Sequence, residues 1–106
     1  MSINPKLKEI KHPYIAIDPG IKGGSPVIVG TRTKVMDIAI RYEFGGMTPD
    51  QIIEQFPHLS LAQIHDALSY YYEHKSELDG TYKKEQMLIN ELRKNYPSKL
   101  RAKLGA

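Results

Sequence analysis

The pattern of apolar and polar residues predicts two helices with a short polar turn between them, within residues 48–72. Thr48, Pro49 and Gln51 are typical of a helix start, because threonine caps free backbone N–H groups and proline fits the first turn. A glutamine three residues after the threonine completes a capping box. Pro57 ends this first helix. Its apolar face consists of Ile52, Ile53 and Phe56.

A second helix start follows at Ser60 and Gln63, which repeat the capping signature. We expect this helix to continue to about Ser76 and to be broken at Asp79-Gly80. Of three consecutive tyrosines, we expect the last two to be buried and Tyr70 to be exposed or at an interface. The two helices have the outline of a helix-turn-helix, although two helices packed into a small core would show the same pattern. The apolar positions, spaced as on one helix face, are Leu61, Ile64, Leu68, Tyr71 and Tyr72.

Two short β-strands are predicted before the helices, at residues 14–17 and 26–29. Asp18-Pro19-Gly20 is a turn signal between them, because proline presets φ and glycine accepts a positive φ. Gly30-Thr31-Arg32 closes the second strand. Since two short strands form a marginal hairpin alone, we expect them to cover the helical core or to pair across a dimer.

Two further helices complete the predicted fold. One of about ten residues is expected from Val35 to Phe44, with Gly45-Gly46 as its C-terminal signal. The other is expected from about Thr81 to Asn95. The fold class is therefore mainly α: a small helix-turn-helix bundle with a short N-terminal β-hairpin and a C-terminal helical extension.

The C-terminal segment combines a narrow apolar stripe with a basic end. Because helices this short are marginal alone, we expect it to order on a partner or in a dimer, with packing onto its own domain as the alternative. The chain is accordingly divided into a flexible N-terminus at residues 1–13, a domain at 14–78 and a helical tail at 79–106. The apolar residues of helix and tail are Met87, Leu88, Leu92, Tyr96, Leu100 and Leu104.

Length and composition narrow the classes of protein. With 106 residues the chain suits a single domain with a modest core. The absence of cysteine excludes disulfides and thiolate metal sites. No stretch approaches the roughly 20 apolar residues that a membrane span needs, and the first residues carry no apolar signal region. We therefore expect a cytoplasmic protein with no membrane partner.

Charge is unevenly distributed along the chain, although the total is only +3. Residues 1–34 carry +4, residues 35–75 carry −4, and residues 76–106 carry +3. The predicted helix pair is thus the acidic part. Because phosphate contacts come largely from Lys and Arg, any DNA bound must be held mostly by the basic N-terminal third. An evenly solvated surface charge is the alternative.

Catalytic and cofactor motifs are absent from the sequence. The carboxylates show no paired spacing, and His65 and His74 lie nine positions apart, which does not bring them together on one helix. The glycine-rich run at residues 20–24 matches neither a phosphate loop nor a dinucleotide fingerprint and is better explained as a turn. We expect a protein that is not an enzyme, with no cofactor and no metal site.

Several linked motifs resemble a bacterial and archaeal family catalogued as domain of unknown function four-three-three. They run from Pro26 to Val35 around Gly-Thr-Arg, from Gly45 to Ile53, from Phe56 to Ser60, and from Ile64 to Tyr71. The resemblance covers residues 14–78 in the family's order and spacing. Two positions depart from the usual pattern: Thr33, where an apolar residue is usual, and Phe56, where tyrosine is usual.

The resemblance implies a compact domain related to winged or homeodomain-like helix-turn-helix proteins. It also implies kinship with antitoxins, which are often encoded beside a small PIN-like ribonuclease toxin. By this kinship the chain would neutralise a toxin through its C-terminal tail and, as a homodimer on operator DNA, repress its own operon. The alternative is a protein-interaction or dimerisation module of helix-turn-helix shape that does not bind DNA.

We assign individual residues to DNA binding or to partner binding as hypotheses. Gln63 could read adenine in the major groove, but it is also the capping partner of Ser60 and cannot easily do both. Arg32 could contact phosphate, or hold a turn by bonding carbonyls or Asp37. The candidate DNA-binding residues are Lys22, Arg32, Lys34, Gln63, His65 and Ser69. The candidate partner-binding residues are Met87, Leu88, Leu92, Arg93, Tyr96 and Leu100.

Overall fold

The computed structural model describes residues 11–95, which form two compact units. The first unit ends at Glu73 and the second begins at His74. Between residues 11 and 95 the chain forms one two-stranded antiparallel sheet and four α-helices. The mainly helical fold with an N-terminal hairpin and a C-terminal helix is thereby confirmed.

The predicted hairpin is present and shorter than expected. Strand β1 (Ile15–Ala16) pairs with β2 (Val27–Ile28), with Ile15 opposite Ile28. Both residues of β2 are buried and β1 contacts a helix, so the hairpin covers the helical core. The glycine-rich loop between the strands is a turn, as predicted. Its amides at Gly20, Ile21, Gly24 and Ser25 donate to oxygen atoms of the same loop.

The Gly-Thr-Arg-Thr segment after β2 forms a tight turn. Gly30 has a φ of 77°, a conformation that glycine adopts without a Cβ clash. Thr31 Oγ1 donates to the carbonyl oxygen of Ile28 at 2.8 Å and accepts the Thr33 N–H at 3.0 Å. Thr33 is buried, with its hydroxyl 3.4 Å from His58 Nε2, which gives this buried polar residue a partner.

The first predicted helix is confirmed in extent but changes its winding. Helix α1 (Val35–Ala39) continues as a π-helical turn from Ile40 to Phe44. Gly45 then donates to the carbonyl of Ile40, and a Cβ at Gly45 would lie 2.7 Å from the carbonyl oxygen of Arg41. Tyr42 and Phe44, both in this wider turn, are 37% and 59% exposed.

The paired helix starts are confirmed. In α2 (Pro49–Gln55), Thr48 Oγ1 accepts the Gln51 N–H at 3.2 Å and Gln51 Oε1 accepts the Thr48 N–H at 2.8 Å. In α3 (Leu61–Glu73), Ser60 and Gln63 make the same reciprocal pair at 3.2 and 2.7 Å. Two free amides are satisfied at each start, which explains why α3 begins so soon after α2 ends.

The core of the first unit is built where α1, α2 and the hairpin meet α3. Tyr71 is fully buried, as expected, and Tyr70 is half-buried. The expectation that Leu61 and Tyr72 are buried is wrong, since they are 44% and 47% exposed. Both lie at the edge of the apolar face, because the four buried positions of α3 are centred further around the helix, away from Leu61 and Tyr72. Those positions are Ile64, Ala67, Leu68 and Tyr71.

The second unit contains one long helix, α4 (Lys75–Asn95), where two segments separated by a break were expected. The prediction that α3 extends to Ser76 and that Asp79-Gly80 interrupts the helix is wrong. Glycine costs about 1 kcal/mol against alanine inside a helix, which its neighbours outweigh. Lys75 Nζ lies 2.8 Å from Asp79 Oδ2 one turn away, and Arg93 and Lys94 favour the last turn. No α4 side chain is buried.

None of the helices within residues 11–95 combines the length and the apolar character needed to cross a membrane.

Candidate interaction surfaces

The outward face of α3 is open along its length. His65 and Ser69, two candidate DNA-reading residues, are exposed on it, as is Ala62. Their spacing places all three side chains on one side of the helix. The face is therefore exposed in the part of its unit that the structure describes, but it presents no Lys or Arg.

Gln63 is only half-exposed and is less accessible than the residues of this face. Its side-chain oxygen accepts the Ser60 N–H at 2.7 Å, so the capping role predicted for it is confirmed. A residue that reads adenine uses both its amide oxygen and its amide nitrogen. Reading a base would therefore break the cap, at a cost of about 1 kcal/mol.

One flank of α3 is covered by the chain's own N-terminal segment. Asp66 Oδ2 accepts the Tyr14 N–H at 2.9 Å, and Asp66 Oδ1 lies 2.8 Å from His12 Nδ1. The His12 ring also packs edge-on against Tyr70, with centroids 5.2 Å apart. Sequence reasoning placed His12 in a flexible terminus; residues 1–10 lie outside the described residues. The packing was missed because nothing local marks a histidine that meets a carboxylate 54 residues away.

The candidate phosphate-contacting residues lie in the turns around the hairpin. Lys22 is exposed, with a positive φ of 50°, and Lys34 precedes α1. Arg32 is exposed and forms no hydrogen bond or ion pair with any residue between 11 and 95. The alternative that Arg32 holds a turn through Asp37 is therefore wrong. The Asp37 carboxylate instead accepts the Lys34 N–H at 2.9 Å.

The α2–α3 region carries no Lys or Arg. From residue 42 to residue 74 there is no Lys or Arg, whereas five carboxylates occur. The arginine just before this stretch is engaged inside its unit. Arg41 donates to Gln55 Oε1 and to the Asp37 carbonyl oxygen, both at 2.7 Å, and stacks 4.7 Å above the Phe56 ring. This charge pattern is opposite to that of a phosphate-binding surface.

An aromatic cluster at the π-helical turn was also missed by sequence reasoning. Tyr72 donates a hydrogen bond to Glu43, which, with burial and nearby charge, raises the pKa of Tyr72 to about 12. Tyr42 and Phe44 flank Glu43 and are exposed. Sequence reasoning could not reveal this contact, because it joins two residues 29 positions apart.

The C-terminal half of α4 exposes a run of large apolar side chains. Met87, Leu88, Ile89 and Leu92 are 67%, 60%, 40% and 47% exposed, respectively. At about 100° per residue, Leu88 and Leu92 lie about 40° apart around the helix, but Met87 lies about 140° from Leu92. Met87, predicted to belong to the stripe, is therefore on another side, and Ile89 takes its place. Arg93 is exposed; Tyr96 and Leu100 lie outside the described residues.

The stripe continues towards the start of α4 with alternating spacings of four and three residues. This is the spacing with which one helix packs into a groove between others. It was visible in the sequence, but the expected break at Gly80 hid it. The residues at this spacing are Leu78, Tyr82, Glu85, Ile89 and Leu92, of which Glu85 is polar, and Leu88 lies beside Ile89.

No three His, Cys, Asp or Glu side chains come together as metal ligands in the part of the chain that the structure describes.

Comparison with known proteins gives a family and a structural relative. Residues 15–71 match DUF433, described as a protein of unknown function. A crystal structure of a DUF433 member protein from Anabaena variabilis is similar to this chain, with 26% sequence identity and a TM-score of 0.58. The similarity covers 64% of this chain and 66% of that chain, just under two thirds of the relative's length. No curated protein matches the chain.

Proposed function

The chain belongs to the DUF433 family, and from its exposed surfaces we propose that it is a non-enzymatic protein-binding module whose helix α4 docks onto a partner protein. The observation that carries this proposal is the apolar stripe of α4, none of whose side chains is buried in the part of the chain that the structure describes. Amphipathic helices commonly bind by laying such a stripe into a hydrophobic groove.

The energy available from the stripe suits a specific interaction. Leu88, Ile89 and Leu92 keep between 40% and 60% of their surface exposed. Burying a fully exposed side chain of this kind contributes about 1.5–3 kcal/mol, and roughly half of that remains to be gained here, so the three together supply about 2–4 kcal/mol of the about −8 kcal/mol of a micromolar affinity. The helix is already formed, which lowers the entropy cost of binding.

Charge supports an acidic rim on the partner's groove. Lys84 lies one turn before Leu88, and Arg93 lies one turn after Ile89. In the sequence from residue 92 to residue 106 there are five Lys or Arg and no acid. A groove bordered by carboxylates would complement these bases and speed association.

The kinship with antitoxins gives this partner a class. In that reading α4 and the tail bind a small PIN-like ribonuclease toxin. The candidate partner-binding residues Leu88, Leu92 and Arg93 support it by their exposure on α4. The proposal for a protein partner does not depend on the toxin's identity.

The test compares two substitutions that differ only in the side of the helix. The full chain, its Leu92→Asp variant and its Met87→Asp variant are immobilised and exposed to extract of the native host. We expect a defined protein to be retained by the wild type and Met87→Asp and lost from Leu92→Asp. Its purified form should bind Leu92→Asp at least about 30-fold more weakly, as expected of a central interface residue. Equal retention by both variants would contradict docking through this stripe.

A second candidate, operator binding as a homodimer, is supported by Arg32. Its guanidinium has no partner among residues 11–95 and is free to contact phosphate, with Lys22 and Lys34 exposed or half-exposed on neighbouring turns. The lack of Lys and Arg from residue 42 to residue 74 is the reason it ranks second.

Salt titration of duplex DNA binding tests this candidate. If these three residues hold phosphates, the log–log slope of affinity against salt should be about −0.9 for each phosphate neutralised, and Arg32→Ala should reduce it by about one phosphate. Because Arg32 forms no hydrogen bond or ion pair with any residue between 11 and 95, Arg32→Ala should change stability by less than about 0.5 kcal/mol. No duplex binding at about 50 mM salt would remove this candidate.

A further inference from the structure

His12 is held on α3 with a carboxylate at each ring nitrogen. Nδ1 lies 2.8 Å from Asp66 Oδ1, and Nε2 lies 3.1 Å from Glu73 Oε2. The side chains of His12 and Asp66 are each 11% exposed, whereas Glu73 is 45% exposed. The first contact is an aligned hydrogen bond shielded from solvent, and the second is an ion-pair contact without that alignment.

The same cluster fixes the start of the hairpin. Tyr14 donates its N–H to Asp66 at 2.9 Å, and its carbonyl accepts the Val29 N–H at 2.8 Å. The carbonyl of His12 accepts the Ile15 N–H at 3.2 Å. Residues 11–14 therefore join β1 to the side of α3, and His12 is the side chain of this segment that contacts the two carboxylates.

The protonation state of the ring decides how many of these contacts are favourable. A neutral imidazole has one N–H group and one lone pair, so one ring nitrogen would present a lone pair to a carboxylate. The imidazolium donates from both nitrogens and is attracted to both carboxylates. The arrangement therefore favours the charged ring.

We propose that His12 is a proton-operated latch, in which the protonated ring holds residues 11–14 and β1 against α3 and its deprotonation loosens that contact. The latch is distinct from the proposed binding function of α4. It makes the accessibility of the Asp66–Tyr70–Glu73 flank of α3 dependent on pH.

The groups that face the ring come from α3 and from the segment itself. Within residues 11–95 they are the carboxylates of Asp66 and Glu73 and the Tyr70 ring, together with the neighbouring Lys11. Burial has the largest single effect and lowers the pKa of His12, but the hydrogen bonds and charges of Asp66 and Glu73 together raise that pKa above its usual 6.5. Because the folded pKa is raised, the stabilisation is fully present below about 6.5 and is lost as pH rises through the folded pKa.

A titration followed by NMR tests the latch in the full-length protein. The His12 ring resonances should report a pKa above 6.5, and this pKa should fall in Asp66→Asn and, by less, in the more exposed Glu73→Gln. Amide resonances of Tyr14, Ile15 and Val29 should move with the same midpoint as the ring. In His12→Asn that movement should disappear.

His65→Asn is the matched control, because His65 is an exposed histidine on α3, the helix that His12 contacts. It should leave the amide titration of Tyr14 and Ile15 unchanged. A His12 pKa at or below 6.5 in the wild type, or strand amides that titrate without regard to His12, would overturn the proposal. The wild-type titration decides the matter even if a carboxylate variant fails to fold.

Discussion

Helices α3 and α4 are both amphipathic, yet they are stabilised by different means. In α3 four side chains are buried and two capping pairs with preceding residues fix its start and that of α2. In α4 no side chain is buried, and its 21 residues depend on helix propensity, length and the ion pair between Lys75 and Asp79. The apolar stripe of α3 is therefore buried in the core of its unit, whereas the apolar stripe of α4 is exposed and available to a binding partner.

The largest expected effect is a difference between the two stripes in how much each contributes to the free energy of unfolding. Ile64→Ala on α3 removes a fully buried side chain and should lower the free energy of unfolding by about 2–5 kcal/mol. Leu88→Ala on α4 removes a side chain that is 60% exposed and should change it by less than about 0.5 kcal/mol. Urea denaturation followed by circular dichroism measures both. A comparable loss in the two variants would mean that α4 is part of the folded core.

A smaller effect is expected at the start of α3. Ser60→Ala removes the hydroxyl that accepts the Gln63 N–H, and should cost about 1 kcal/mol. Thr48→Ala at the matched position of α2 should cost a similar amount, since the capping geometry is the same. Thermal unfolding measures both losses. If neither changes stability, the helix starts are held by packing alone and the caps contribute nothing.

The smallest effect should be a gain, and it should appear in α4. Gly80→Ala places a Cβ where no heavy atom lies within 4 Å, so it should stabilise α4 by about 1 kcal/mol and raise helix content at elevated temperature. Gly45→Ala is the opposite control, because its Cβ would meet the Arg41 carbonyl oxygen at 2.7 Å and should destabilise the first unit. Loss of helix content in Gly80→Ala would show that the glycine serves a bend or a close contact.

Local chemistry predicted the helix starts, the hairpin and the mainly helical fold, because caps, proline and glycine act within a few residues. Thr48 with Gln51 and Ser60 with Gln63 pair as their spacing predicts. The end of α3 was misplaced, since Gly80 is only a weak helix breaker when strong helix formers surround it. The π-helical turn at Ile40–Phe44 changes which residues face outward, and 3.6-residue periodicity has no means of anticipating it.

The candidate surfaces could be predicted only in part, because some of their contacts join residues that are far apart in the sequence. The apolar residues of α4 form a pattern along one helix, so a stripe through Leu88 and Leu92 could be anticipated, whereas Met87 lies on another side of the helix. The His12 latch joins residues 54 positions apart and leaves no local pattern. It is visible only in the packing of residues 11–14 on α3.

The most direct test of the account is site-specific photo-cross-linking from α4 in the native host. A photoreactive residue is placed at Leu92, on the stripe, or at Met87, about 140° around the helix. We predict that one partner protein cross-links from position 92 and not from position 87, and that Leu88→Asp abolishes this product. Equal products from both positions, or a product that contains only a second copy of this chain, would contradict the claim that the α4 stripe binds another protein.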